Sequence, residues 1–202
     1  MPPSLPVSSP SSRHRRGLLW GLALLVCGCL PALPHIDSGE APAFDAIAFF
    51  EGSTEGLGTL TIRTRSPQTV RVRSVGTRTP GGGLTLVQSV RLGDAPPSER
   101  TWVLRPAGPA RWTGTLTDAD GPVEAWAEGD RLWIRYSMPR GLSMHQELTL
   151  QPGGGLALNL ATVRFWGLPI ARLTEQIWRM ESKSGDSLPD PAPEDPANRD
   201  PR

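Results

Sequence analysis

The chain has 202 residues, room for one ordinary domain with tails. Its formal net charge is +1, from 21 Lys and Arg against 20 Asp and Glu, so the balance is not that of a nucleic-acid-binding protein. Both cysteines, Cys27 and Cys29, fall in an apolar leader with no His/Cys cluster after them; the remainder uses no disulfide, and no zinc site is expected.

From the N-terminus, residues 13–30 read RHRRGLLWGLALLVCGCL, a basic segment followed by about fourteen apolar residues. That length suits a signal peptide and falls short of the ~20 residues a spanning helix needs. Val26-Cys27-Gly28-Cys29 resembles a bacterial lipobox, with a branched apolar residue three before, and a small residue directly before, the cysteine to be lipidated. Cys29 fits that pattern, although Cys27 is an unusual middle residue. Cleavage at Ala41-Pro42-Ala43 and retention as an uncleaved anchor stay open as alternatives. Two or more acyl chains on Cys29 would hold the chain stably on a membrane. Three basic residues (Arg13, Arg15, Arg16) precede the apolar run and every acid follows it. A form without the leader therefore has 18 basic against 20 acidic residues, a net −2. The expected organisation is a signal peptide over 1–29, a linker over 30–43, a β-domain over 44–180 and an acidic, Pro-rich tail over 181–202. The tail has no aromatic residue and too little apolar surface to fold, so disorder is expected there.

The stretch FFEGSTEGLG (49–58) opens the domain. Its two carboxylates, Glu51 and Glu55, invite an acid/base reading. As a helix the three glycines are costly. As a strand the two side chains lie about 13 Å apart, four rises of ~3.3 Å, beyond even the ~6.5–9.5 Å of inverting glycosidases. The stretch reads better as a structural device, with Phe49 and Phe50 capping one end of a β-domain and Glu51 pairing with an arginine, Arg164 being the guess.

From there the chain alternates apolar and polar residues in short runs, separated by turn signals such as Gly81-Gly82-Gly83, Asp118-Ala119-Asp120-Gly121 and Gly153-Gly154-Gly155. Leu84, Leu86, Val90 and Leu92 share one face, as do Leu132, Ile134 and Tyr136; Leu156, Leu158 and Leu160 extend the same pattern. No gap holds a helix of a dozen residues, which excludes a parallel βαβ architecture. In EAWAEGDRLWIR, Gly129-Asp130 suits a two-residue turn and pairs Glu128 with Arg131, Trp126 with Trp133 and Glu124 with Arg135. The tryptophan pair then forms an outer-wall ladder, or an exposed aromatic patch. Consecutive antiparallel strands leave edges that closure removes, so an all-β, antiparallel up-and-down barrel of about eight to ten strands is expected, with an open or two-layered sheet second. Its inner face is mostly leucine and valine, interrupted by Gln88 and Gln146. With Tyr136, these amides are candidate ligand-orienting groups; alternatively Tyr136, Thr162 or water satisfies them internally. The last segment, PIARLTEQIWRM, fits a helical or a strand spacing.

Four passages together resemble the bacterial domain of unknown function 3833: FDAIAFFEG (44–52), RTWVL (100–104), TGTLTDADGPVEAWAEGDRLWIRYSM (113–138) and LNLATVRFWGLPIARLTEQIWRM (158–180). Members of that family read largely as lipoproteins or secreted proteins. The resemblance implies a lipocalin-like barrel and tips the closing segment towards strand, but it brings no catalytic residue. The acidic D-D-W phrase often found late in the family's domain is replaced here by His145-Gln146-Glu147.

No Ser/His/Asp set or thiol nucleophile can be assembled in the domain, and no metal or other cofactor is implied. The expected protein is a non-catalytic envelope lipoprotein, facing the periplasm from the outer membrane. It would bind an apolar molecule such as a lipid inside a barrel. The alternatives are an assembly protein acting through its outer surface, and an enzyme with an unrecognised carboxylate site.

Overall fold

A computed structural model describes residues 41–180; the leader with Cys29, residues 30–40 of the linker and the tail lie outside the described residues. Ten strands follow one another: β1 (Gly52–Ile62), β2 (Gln68–Arg78), β3 (Leu84–Leu92), β4 (Ser98–Gly108), β5 (Arg111–Leu116), β6 (Val123–Glu128), β7 (Arg131–Met138), β8 (Leu142–Leu150), β9 (Leu156–Phe165) and β10 (Leu168–Met180). Each is antiparallel to the next, and β1 also pairs with β10, so the sheet closes into a lipocalin-like up-and-down barrel. Closure gives every strand two neighbours and leaves no free edge. Among the described residues no helix is long and apolar enough to cross a membrane.

One short helix, α1 (Ala46–Phe50), precedes the barrel. Asp45 caps it, its carboxylate accepting from the N–H groups of Ile47 and Ala48 at 2.9 and 3.1 Å. Phe44, Ile47, Phe49 and Phe50 are buried in the core, and the Phe49 ring meets Phe44 and Phe50 at 5.2 and 4.9 Å between centroids. The Phe44 N–H donates to the Gly129 carbonyl in the β6–β7 turn, and the Phe50 carbonyl occupies the space where a Cβ on Gly76 would stand. The phenylalanines thus cap one barrel end, carried on a short helix. Five residues are too few to show a helical period, and the local signal was the Asp45 cap. Glu51, just after α1, pairs with Arg78 at 2.7 Å. Arg164, the guessed partner, lies at the opposite end and donates to the Gly167 carbonyl.

The β6–β7 hairpin has the expected register, Trp126 opposite Trp133 between Glu124–Arg135 and Glu128–Arg131. The indoles stack at 5.9 Å, and the Arg135 guanidinium lies over Trp126 at 4.7 Å. Arg131 gives its salt bridge to Glu147 on β8 rather than to Glu128.

One strand differs from the sequence pattern, and one open reading is decided. On β9 the residues facing the interior are Ala157, Asn159, Ala161 and Val163, while Leu156, Leu158 and Leu160 face outward, half-buried. Outside, Leu158 and Leu160 share a shallow groove with Leu57 and Trp178, which is how a run of leucines can stand on the outer wall. The closing segment is the strand β10, with Leu173, Glu175 and Ile177 turned inward. Thr162 faces away from the interior, beside His145, and so cannot satisfy an inner amide.

Candidate functional site

The barrel encloses a cavity of about 250 Å³, walled mainly by aliphatic side chains from almost every strand. Burial along the barrel interior is graded. Near α1 the inward residues are sealed, Leu84 and Leu132 completely and Leu148 nearly so. At the other end Leu60, Leu92, Val163 and Leu173 are only half-buried, so the cavity opens there and α1 forms its floor. The volume is slightly below the ~300–1,000 Å³ usual for small-molecule sites.

A belt of polar groups crosses this apolar wall. On β3, Gln88 donates to the Ser74 hydroxyl at 3.1 Å. Its carbonyl oxygen accepts from Arg100 Nε at 2.9 Å and from Trp102 Nε1 at 2.6 Å. The Arg100 guanidinium also faces the Trp102 ring, 5.6 Å from its centroid. Tyr136 packs edge-on against Trp102 at 5.5 Å, and its hydroxyl hydrogen-bonds with Gln146 and Arg100. Burial pushes that hydroxyl's pKa above its ordinary value, against the Arg100 charge and these hydrogen bonds. On the far side Asn159 donates to Gln146 at 3.3 Å and to the Glu175 carboxylate at 2.9 Å. Burial also raises the Glu175 pKa, opposed by the Asn159 hydrogen bond and by Arg100.

Gln88, Tyr136 and Gln146, the three residues singled out from sequence, therefore all line one cavity, and Tyr136 bridges the two amides' networks. Ser74, Arg100, Asn159 and Glu175 complete the belt and were not singled out. Two of them sit on the strands whose facing was misread or undecided. The missed signal was a polar residue between small or aliphatic ones, as in Ala157-Leu158-Asn159-Leu160-Ala161.

Within this belt the Asn159 carbonyl oxygen is buried and finds no donor among the described residues. A buried acceptor left unpaired costs about 1–3 kcal/mol, which a molecule carrying a donor into the cavity would recover. Glu51 and Glu55, by contrast, lie outside the cavity, each paired with an arginine, Arg78 and Arg73 respectively. Among the described residues no group of three or more His, Cys, Asp or Glu side chains is placed to hold a metal ion.

Compared with known proteins, residues 23–179 match the family described as protein of unknown function (DUF3833). The chain belongs to the DUF3833 family. No curated protein matches it in sequence. Among solved structures, this DUF3833 barrel is similar to the S-type phycobiliprotein lyase CPES from Guillardia theta, with TM-score 0.55 and 8% identity over 68% of this chain and 92% of that one. It is also similar to a protein of unknown function from the DUF3598 family of Nostoc punctiforme, with TM-score 0.53 and 14% identity over 69% of this chain and 50% of that one. Rv2717c from M. tuberculosis is similar at TM-score 0.51 and 17% identity, over 67% of this chain and 96% of that one. At such identities the likeness is one of fold.

Proposed function

We propose that this DUF3833 protein is a binding protein of the cell envelope that holds an amphipathic small molecule, such as a lipid, in its barrel. The observation that carries this reading is the cavity itself: an apolar wall, open at one end, crossed by a polar belt that includes an unpartnered buried acceptor. The apolar wall rewards burial of hydrocarbon by roughly 25 cal/mol per Å². Arg100, Gln88 and Tyr136 then take the polar end of the ligand, with Gln146 and Asn159 beside them. The modest volume favours a compact ligand, or one whose chain extends through the mouth.

The location rests on the leader: the basic segment, the short apolar run and the lipobox-like Val26–Cys29 support lipidation at Cys29 and an outer-membrane lipoprotein facing the periplasm. The role is binding rather than catalysis. The carboxylate pair that motivated an enzyme reading is engaged by arginines on the outside of the barrel.

Native mass spectrometry of the protein extracted from its own cells tests the first half. A co-purifying lipid is expected, together with micromolar binding of a fluorescent fatty acid (11-(dansylamino)undecanoic acid) that Ala161→Leu, which fills the cavity, abolishes in a folded protein. Repeated recovery without lipid, and no fluorescence change with the wild-type chain, would refute it. For the second half, Cys29→Ala should move the protein out of the membrane fraction, and unchanged partitioning would refute lipidation there.

A further inference from the structure

The open end of the barrel carries an apolar, positively charged sector with no role in the cavity. Five turns surround the mouth, and three neighbouring ones differ in chemistry from the other two. The β9–β10 turn exposes Phe165, Trp166 and Leu168, at 43%, 79% and 68% of their surface. On one side stands the β7–β8 turn, Pro139-Arg140-Gly141; on the other stands the β1–β2 turn, with Arg63 and Arg65. Arg164, at the base of the apolar tip, adds a fourth cation, and these three turns contain no acid. Asp94, Asp118 and Asp120 lie in the two remaining turns.

The tip is held rather than loose. The Trp166 N–H donates to the Gly141 carbonyl at 3.1 Å, and Arg164 donates to the Gly167 carbonyl at 3.1 Å. The indole lies close against Gly141, where a side chain would collide with it. Trp166 itself has φ of +48°, a left-handed conformation that a bulky residue adopts only when its surroundings impose it. Keeping a tryptophan and a leucine in water in this way gains nothing for the fold. A large exposed apolar group rimmed by charge marks an interaction surface, and tryptophan beside arginine is the chemistry of a membrane–water interface, where the ring sits at headgroup depth.

We propose that the barrel mouth docks on an anionic phospholipid bilayer, inserting Trp166 and Leu168 among the headgroups while Arg63, Arg65 and Arg140 face the phosphates. Acids confined to the other two turns tilt the mouth so that the β9–β10 side leads. Docking stands on the rim alone and does not require that the cavity hold a lipid.

Hydrogen–deuterium exchange of the full chain, read by mass spectrometry with and without vesicles, locates the contact independently of the leader. With vesicles of phosphatidylethanolamine and phosphatidylglycerol, exchange should slow in residues 139–142 and 164–168 and revert in 0.5 M NaCl, where surface charge is screened. Trp166→Ser with Leu168→Ser should abolish that protection and weaken vesicle binding by about tenfold or more, at unchanged thermal stability. Ala161→Leu, which tests the cavity, should leave it intact. Equal protection by pure phosphatidylcholine vesicles would overturn the anionic surface. Unchanged exchange in these turns would overturn docking altogether. Protection that appears without vesicles and grows with protein concentration would assign the tip to a second copy of the chain instead.

Discussion

Gly56 and Glu175 share one space: a methyl group on Gly56 would overlap the carboxylate that Glu175 turns inward from the neighbouring strand. The glycine on β1 is what lets an acid stand inside the barrel within reach of Asn159. Gly56→Ala should therefore push Glu175 off its hydrogen bond and cost about 1–3 kcal/mol. Glu175→Ala in the same chain should relieve part of that cost. Denaturant titrations of the two single variants and the double give the coupling; energies additive to within ~0.5 kcal/mol would show that the residues do not share space.

Glu175 also sets a pH dependence. Burial raises its folded pKa above the ordinary 4.5, so between that value and the raised one the folded state binds more protons than the unfolded. Its contribution is fully present below about pH 4.5 and is lost as pH rises through the folded pKa. Glu175→Gln should remove this falling slope from stability measured against pH without reversing it. An unchanged slope would place the titration elsewhere.

The rim pair at the closed end behaves in the opposite sense. The hydrogen bond from Arg78 holds the Glu51 carboxyl below its ordinary range, so this pair's contribution is present above pH 4.5 and fades on acidification. Both side chains are well solvated, so the contribution to stability is small. Arg78→Ala should return Glu51 to ordinary titration by NMR with scarcely any change in melting temperature.

The floor is a separate element of stability. Phe49→Ala removes a buried ring from α1 and should cost about 3–5 kcal/mol; Asp45→Ala removes only the cap and should cost about 0.5–2 kcal/mol. Thermal denaturation reads both, and a loss for Asp45→Ala as large as that for Phe49→Ala would mean that α1 is held by its cap rather than by its rings.

For binding, Arg100 is the half-buried cation of the belt. Arg100→Gln should weaken the dansyl fatty acid by roughly tenfold, the size of one charge-assisted hydrogen bond. Fluorescence titration checks it, and affinity unchanged would place the acid group outside the belt.

Much of the barrel was legible because a one-sided β wall writes its facing in period two, and the Gly129-Asp130 turn fixed the β6–β7 register to the residue. Gln88, Tyr136 and Gln146 were legible for the same reason: a polar residue stood where the period demanded an apolar one. Asn159 and Glu175 escaped because hydrophobicity is a poor guide to facing where the inner wall must be thin. On β9 the cavity is bounded by alanines, the larger leucines stand outside, and the period inverts. On β10 Leu173 and Ile177 satisfy a helix and a strand alike, so the acid between them had no assigned side. Arg100 sits at the start of a strand among charged neighbours, where an arginine reads as solvent-facing. The Glu51–Arg78 pair joins residues 27 apart across the β1–β2 hairpin, whose long strands separate the two in sequence.

Phe44 bonds to the β6–β7 turn, and Met180 pairs with Ser53 at the start of β1, so the described chain enters and leaves the barrel at its floor. Anything joined before residue 41 or after residue 180 is therefore attached at the sealed pole. The mouth opens at the other pole. The barrel is thus a cup whose points of attachment lie at its base, a barrel's length from its open rim. A surface that holds the base and a surface that receives the rim need not be the same one.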